Sequence, residues 1–458
     1  MQGRQTDMLS GKIVKQLLLF FFPIMFGSIF QQLYNTVDAI IVGNFVGKEA
    51  LAAVGGSTGT FIDLLVGFVV GLSSGATVVV AQYYGRREAE GVHKSVSTSI
   101  FLAITLGAVL MILGIVFAPV ILNLLNVPVD ILPFSITYLR VYLVGMIPVL
   151  IYNNGAGILR AVGDSKRPLY FLIASACTNI VLDLVFVIVF HMGVAGVALA
   201  TAISQTVSCI LTLLTLSRTE DIYSFHIRDM KIDFAVFKRI LVIGFPMGIQ
   251  SCLYAISNLF IQRGVNTYGT DTVASFTAFG KIDALFWNSS GALGQAVLTF
   301  CGQNFGAGDV KRVKKGIHAG ILIYLVGSSI ISVTLYFFGG VFFRLFTPDN
   351  MVISIGLGIL RFMCPLWPTF CLIEVFSSAM RACGDSLVPM LMTAIGIGAF
   401  RIAWILFYPA TNIYDTMLCY PISWILLDVM FIFYYLQGGW LKRSLKQREK
   451  LIEANRSC

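Results

Sequence analysis

The chain has 458 residues, of which 57% are hydrophobic and only 12% charged, about half the roughly 25% charged share of soluble domains. With a mean hydropathy of +0.84 it has too few polar side chains to coat a soluble particle of its size, which excludes a soluble globular fold and predicts an all-α integral membrane protein. The net charge of +9 needs no nucleic acid to explain it, because the basic residues gather at the ends of apolar segments.

Apolar runs long enough to cross roughly 30 Å of hydrocarbon are expected near residues 14–43, 52–80, 93–119, 133–157, 168–190 and 194–217. A second set follows near 237–263, 272–300, 314–343, 353–379, 386–409 and 414–436. These make twelve transmembrane helices in two groups of six. The polar stretch 218–236 is taken as a cytoplasmic linker between an N-terminal bundle (1–217) and a C-terminal bundle (237–440), with a basic cytoplasmic tail at 441–458. The first apolar run carries no A-x-A site, so no cleavable signal peptide is expected.

Placing the N-terminus inside puts Arg86, Arg87, Lys94, Lys166, Arg167, Lys311, Arg312, Lys314, Lys315 and the tail from Lys442 on the cytoplasmic side, and leaves Lys48, Arg263 and Arg344 outside. That bias predicts a multi-pass protein of the cell membrane with both termini cytoplasmic. Six of the nine cysteines (Cys177, Cys209, Cys252, Cys301, Cys371 and Cys419) lie in apolar runs, with no CxxC pair and no Cys/His cluster. Buried free thiols are expected, with neither a disulfide framework nor a zinc site.

The two groups repeat one another. LRAVGDSKRP at 159–168 returns as MRACGDSLVP at 380–389, 221 residues on, and AQYYG at 81–85 returns as GQNFG at 302–306 at the same offset. Arg140 pairs with Arg361 at 221 residues, and Pro23 pairs with Pro246 at 223. Six spans per repeat is an even number, so the repeats run parallel and are expected to be related by a pseudo-two-fold axis along the membrane normal.

The duplicated Arg-Ala-x-Gly-Asp turn falls at the end of segments 4 and 10. Gly163 and Gly384 suit a left-handed C′ position. Asp164 or Ser165, and Asp385 or Ser386, are candidate caps for the next helix, with Pro168 and Pro389 in its first turn. Arg160 and Arg381 are expected to lie where a last-turn cation meets the helix dipole and its head reaches water. Plain turn chemistry used twice is one reading, and a hinge or gate at the inner mouth of each bundle is the other. Pro23 and Pro246, which break helix hydrogen bonds, join that hinge set.

These features together resemble the multidrug and toxic compound extrusion (MATE) family, and the resemblance covers essentially the whole chain. It rests on two six-helix halves, a Pro-bearing first helix, QLYNTVDAIIVGNFVG at 32–47 and the two turns. The resemblance implies a secondary transporter, not an enzyme, that exports small amphipathic, often cationic compounds by antiport against Na+ or H+. GRREAE at 85–90 faintly matches the loop motif of the major facilitator fold but lacks its Asp and first Arg. Flippases for lipid-linked oligosaccharide precursors are the closer alternative.

A carboxylate at the bilayer centre costs on the order of 2.5–3.5 kcal/mol, so it persists when paired, protonated or functional. On segment 1, Gln31, Asn35 and Asp38 are spaced i, i+4, i+7 on one face; on segment 5, Asn179 and Asp183 are i, i+4; on segment 6, Thr201, Gln205 and Ser208 form a stripe. Converging, they make an oxygen-rich cluster suited to Na+, or to one proton shared by two carboxylates. A polar stripe that only glues helices together is the bland alternative. In the DinF-like branch of the family the positions matching Asp38, Asn179, Asp183 and Thr201 form the coupling-ion site, and Na+ on Asp38 and Asp183 is the only metal expected. At the repeat offsets Asp38 falls on Ile261, Asn179 on Phe400 and Asp183 on Trp404, so the cation site is expected once, in the first half.

Candidates for a substrate cavity are Asn153, Asn154, Gln205, Tyr254, Asn258, Glu374 and Arg401, with Glu374 and Arg401 alternatively a structural ion pair. Phe286, Trp287, Met363 and Trp367 are candidates for an adaptable floor. Asp428, and Asp283 with Lys281, add buried charge to the second half. No G-x-x-x-x-G-K-[ST] loop occurs, which argues against ATP-driven transport by this chain. The four histidines lie near segment ends without catalytic partners. No cofactor, nucleic acid or obligate protein partner is expected; small drug-like substrates and membrane lipid are.

Overall fold

The structure is a computed structural model and describes residues 6–456. Among them every regular element is helical. The first six rods are α1 (Ile13–Phe45), α2 with α3 (Lys48–Gly55, Ser57–Gly85), α4 (Ala89–Leu124), α5 with α6 (Leu132–Val144, Met146–Ala161), α7 (Lys166–Leu184) and α8 (Gly193–Arg218). The second six are α9 (Phe234–Val265), α10 (Thr270–Ala307), α11 (Val310–Phe346), α12 with α13 (Asn350–Met363, Cys371–Ala382), α14 with α15 (Leu387–Thr393, Phe400–Phe407), and α16 with α17 (Ile413–Met417, Cys419–Gln437). This is the expected twelve-rod, two-repeat architecture.

Ten of the rods are long and apolar enough to span a membrane, and α5 with α6, bent by 48° at Gly145, makes an eleventh. The remaining rod, α10, has the length but not the hydropathy. It spends its surface inside the protein, burying Ser275, Ser290, Gly294, Gln303 and Asn304, so it needs little lipid-compatible surface. Other rods carry local breaks: α7 ends in a π-helical turn at Val185–Val189, a second π turn spans Ala394–Ala399, and Pro365 and Pro368 set a 3-10 stretch at Cys364–Phe370.

The chain forms two compact units, and their boundaries are not those expected from the polar linker. Among the described residues, 6–7 and 22–248 make the first unit, and 8–21 join 249–456 in the second. The crossovers fall within two residues of Pro23 and Pro246, the prolines inside α1 and α9.

Close contacts within each unit give the reason. In the first unit, Gly71 and Gly75 of α3 face Gly248 and Gly244 of α9. A Cβ at Gly71 would lie 2.5 Å from the Gly248 nitrogen, and one at Gly75 would lie 2.6 Å from Gly244 Cα. Two facing small-xxx-small pairs let the helix backbones meet directly, which ties the start of α9 to the first unit. The preceding stretch is tied there too, with Lys231 N donating to Ser97 Oγ at 2.8 Å and Asp233 N to Thr98 Oγ1 at 3.1 Å. In the second unit, Asn304 donates to the Met8 carbonyl at 3.0 Å. Arg312 reaches Ser10 O at 3.0 Å and Gln16 Oε1 at 2.8 Å.

The tail is a helix, α18 (Gly439–Arg456), entered through Gly438 at φ +67. It is anchored in the second unit by buried Trp440 and by Arg448 donating to Gly306 O at 3.2 Å. The described cysteines are free thiols.

Candidate cation site

Asp38 of α1 and Asp183 of α7 meet inside the first unit. Asp38 is 9% exposed and Asp183 fully buried, and their carboxyls are close enough to interact directly. Asn179, one turn before Asp183, is fully buried as well. Asp38 Oδ1, both Asp183 oxygens and both amide atoms of Asn179 have no hydrogen-bond donor or acceptor from the protein. Two carboxylates that close, in a low-dielectric interior, cannot both stay ionised without a cation or a shared proton. The unpartnered carboxylate and amide oxygens form a donor set that fits either. Among the described residues no group of three or more His, Cys, Asp or Glu is placed to hold a metal.

Helix α8 packs beside α7, with Ser175 Oγ donating to Ser204 O at 2.7 Å. Thr201 of α8 is 7% exposed and spends its hydroxyl hydrogen on Val197 O at 3.0 Å, which leaves its oxygen lone pairs free to accept. The π turn directly after Asp183 is a local widening of the kind that recurs at functional sites.

The expected stripe on α1 divides. Asn35 and Gln31 are exposed, and at 1.5 Å per residue Gln31 lies about 10 Å along the helix from Asp38; a shared face is not a shared site. Gln31 and Gln205 instead flank the Tyr34 hydroxyl. Asn154 donates to Ser73 Oγ at 3.0 Å, and Asn153 to Val149 O at 2.8 Å.

The surroundings of the carboxyls also include residues the sequence reading passed over. Tyr34, 6% exposed, lies in electrostatic reach of Asp38, and Tyr138, 8% exposed, in reach of both carboxyls. Tyr142 stacks near Tyr138 with ring centroids 6.2 Å apart. A signal existed: at the offset that pairs Arg140 with Arg361, Tyr138 and Tyr142 fall on Ile359 and Met363, so these hydroxyls share the first-half restriction of the carboxylates.

In the second unit the expected Glu374–Arg401 ion pair does not form. Arg401, 2% exposed, lies over the Tyr420 ring at 4.3 Å and donates to Ser423 Oγ at 3.0 Å. Glu374 accepts from Ser378 at 3.5 Å. The aromatic face of Tyr420 and a hydroxyl satisfy the guanidinium without a carboxylate. Tyr254 lies within electrostatic reach of Glu374, Arg381 and Arg401, whereas Asn258 is exposed. Asp283 accepts from Trp287 Nε1 at 2.7 Å, beside a cluster in which Phe286 stacks on Trp367 at 4.8 Å. Met363 is buried, 2% exposed.

Both duplicated turns have the expected left-handed glycine, Gly163 at φ +94 and Gly384 at φ +100. Asp164 supplies the cap, its Oδ1 accepting from the backbone of Lys166 and Arg167 at 3.1 Å each, and Arg167 Nε pairs with its Oδ2 at 3.2 Å. Asp385 likewise accepts from the backbone three residues on, at Val388, and also from the Tyr434 hydroxyl, and burial pushes its carboxyl above the ordinary range. Neither arginine is a fully exposed head, and both are half-buried. Arg381 folds back onto Ser377 O at 3.1 Å, Ser377 Oγ at 3.0 Å and Ser378 Oγ at 3.1 Å. Arg160 Nε is buried with no partner, because the guanidinium turns into a cavity of the first unit.

Twelve rods in two repeats, with a carboxyl pair buried in one of them, have the build of a multi-pass membrane transporter. The family profile described as MatE matches residues 23–185 and again 246–405, so the chain belongs to the MATE family. The two matches begin at the paired prolines, at the 223-residue offset. The chain is 28% identical over 446 residues to the probable multidrug resistance protein YpnP of Bacillus subtilis (strain 168), covering 96% of this chain and 98% of that one. It is 26% identical to the probable multidrug resistance protein NorM of Thermotoga maritima, covering 96% of each. Its fold matches a crystal structure of a MATE protein in complex with MaL6 at a TM-score of 0.89, with 23% identity over 96% of this chain and all of that one. It also matches an outward-facing multidrug resistance MATE transporter at 0.87, with 22% identity over 97% of this chain and all of that one.

Proposed function

We propose that this protein is a secondary exporter of small amphipathic, drug-like compounds in the cell membrane, with both termini cytoplasmic. It is driven by antiport of one monovalent cation, Na+ or H+, at Asp38 and Asp183. The relatives named as multidrug resistance proteins match nearly the full chain, which supports the export of drugs. The observation that carries the coupling is the buried carboxyl pair with unpartnered oxygens in the first unit.

Two unit charges about 4 Å apart repel by about 4 kcal/mol at an effective dielectric near 20. The pair therefore favours capture of one positive charge over standing empty. Capture and release change the charge between α1 and α7, and α1 is the helix that carries Pro23 inside it, where one backbone hydrogen bond is missing. A site whose occupancy sets the local charge of a breakable helix is a means of linking ion movement to a conformational step. Asn179 and Thr201 supply further oxygens, and Tyr34 and Tyr138 supply hydroxyls near the pair.

The experiment is dye efflux from proteoliposomes with Na+ and H+ gradients imposed one at a time. Uphill export driven by one of the two gradients is the expected result. Downhill leakage that ignores both gradients would sink the antiport reading.

A further inference from the structure

The two halves treat their duplicated arginine in opposite ways. Arg381 is satisfied by Ser377, Ser378 and Gln250, the last at 3.5 Å, and Gln250 in turn donates to Thr393 Oγ1 at 3.0 Å. Glu374, which accepts from Ser378, adds a negative charge one turn further along the same face. At the repeat offsets each of these positions changes in the first half. Ser377 becomes Ala156, Ser378 becomes Gly157, Glu374 becomes Asn153, Thr393 becomes Leu172 and, at the proline offset, Gln250 becomes Gly27. Every side-chain partner of Arg381 is absent from the first half, and the arginine is kept.

What replaces the partners is space. A cavity of about 90 Å³ is lined by Gly27, Ser28, Gln31, Asn153, Arg160 and Leu172 among others, and no carboxylate lines it. Packing does not require Gly27 to be bare: a Cβ there would meet only Leu172 and Leu169 methyls, at 3.6 and 3.7 Å. At Gly157 a side chain is excluded, because Thr77 Oγ1 lies 2.4 Å from where its Cβ would be. So the helix cannot supply Arg160 with the counterpart of Ser378.

A half-buried guanidinium whose Nε is buried without a partner, facing a polar cavity with no carboxylate in its lining, is a receptor for an anion. Its planar fork matches the paired oxygens of a phosphate. The cavity is about three times the ~30 Å³ that a water molecule occupies in the liquid, room for a tetrahedral oxyanion. We propose that the Arg160 cavity, between α1, α6 and the start of α7, is a binding site for a phosphate-type oxyanion, which the second half has lost by filling the equivalent space. The site is separate from the carboxyl pair and does not depend on the coupling reading. The phosphate can come from a membrane lipid headgroup or from solution.

The full-length protein tests this with two probes. Inorganic phosphate is titrated calorimetrically into detergent-solubilised protein, and phosphatidylglycerol retained from nanodiscs is counted by native mass spectrometry. Three variants remove the site in different ways: Arg160→Gln deletes the charge, Gly27→Gln restores the second-half side chain, and Asn153→Glu restores the second-half acid. Arg381→Gln is the control. Binding of phosphate that weakens at least tenfold in the site variants and not in the control supports a soluble ligand. Retained lipid that is lost in the site variants alone, with phosphate silent, supports a headgroup. If the wild type holds neither probe, or if the folded site variants hold both as the wild type does, the proposal is overturned. A Cβ at Gly27 meets only flexible leucine methyls and the rest of a glutamine has the cavity to enter, so Gly27→Gln keeps the test open should Arg160→Gln fail to fold.

Discussion

A single methyl at Gly75 should loosen the first unit. The added carbon would sit 2.6 Å from Gly244 Cα, 2.6 Å from Gly244 N and 2.6 Å from Ile240 O. All three are backbone atoms, so no side chain can swing aside. Restoring an ordinary contact of about 3.5 Å forces α3 and the start of α9 apart by about 1 Å, and that loss is shared by the neighbouring Gly71–Gly248 approach. Overpacking of this kind costs about 1–3 kcal/mol, against about 0.5–1 kcal/mol that alanine gains over glycine inside a helix. Gly75→Ala is therefore expected to destabilise by about 1–2 kcal/mol. Gly280→Ala in α10 is the matched control, since nothing lies within 4 Å of its Cβ, and it should be neutral or slightly stabilising. Thermal unfolding in detergent, followed by tryptophan fluorescence, reads both. Equal midpoints for the two variants would refute the backbone-contact account of why the start of α9 belongs to the first unit.

Arg312→Ala should free residues 8–21 from the second unit, since Arg312 ties Ser10, Gly11 and Gln16; hydrogen exchange there should rise several-fold, and unchanged protection would count against that anchor. Asp385 lies in a turn between spans, and burial raises its carboxyl above the usual 3.8. The folded form thus holds the proton more tightly than the unfolded form. The stabilisation is complete below about pH 3.8 and is lost as pH rises through the raised value. Unfolding midpoints of the wild type should fall relative to Asp385→Asn across that interval, and parallel curves would contradict the assignment.

Much of this was legible in the sequence because a bilayer imposes length and apolarity on every span. The rods therefore stood out, even α10, whose polar surface was flagged only by its match to segment 2 through GQNFG. Asp38 and Asp183 were legible for the opposite reason, as carboxylates too costly to keep in apolar runs without a use. Tyr34 and Tyr138 were harder to read, because aromatic residues are ordinary in membrane helices and the fold is what sets these two in reach of the carboxyls. The unit boundaries were hidden as well. They follow glycine pairs and Arg312 contacts between distant segments, while the polar stretch at 218–236 carries tertiary bonds of its own. The turn motif predicted its glycines correctly but not the surroundings of its arginines. Dipole and snorkelling arguments treat one helix end alone, whereas the fate of Arg160 and Arg381 is set by residues on the neighbouring turns and on α1 and α9.

The most direct test of the account is gradient-driven efflux in carboxylate variants set beside their repeat mates. Asp38→Asn and Asp183→Asn are reconstituted in parallel with Ile261→Leu and Trp404→Phe, each checked for monodispersity. The account predicts that both aspartate variants lose the response to the imposed Na+ or H+ gradient while the two repeat-mate variants keep it. Uphill efflux that persists in Asp38→Asn, or that disappears equally from all four, would contradict a single cation site in the first unit.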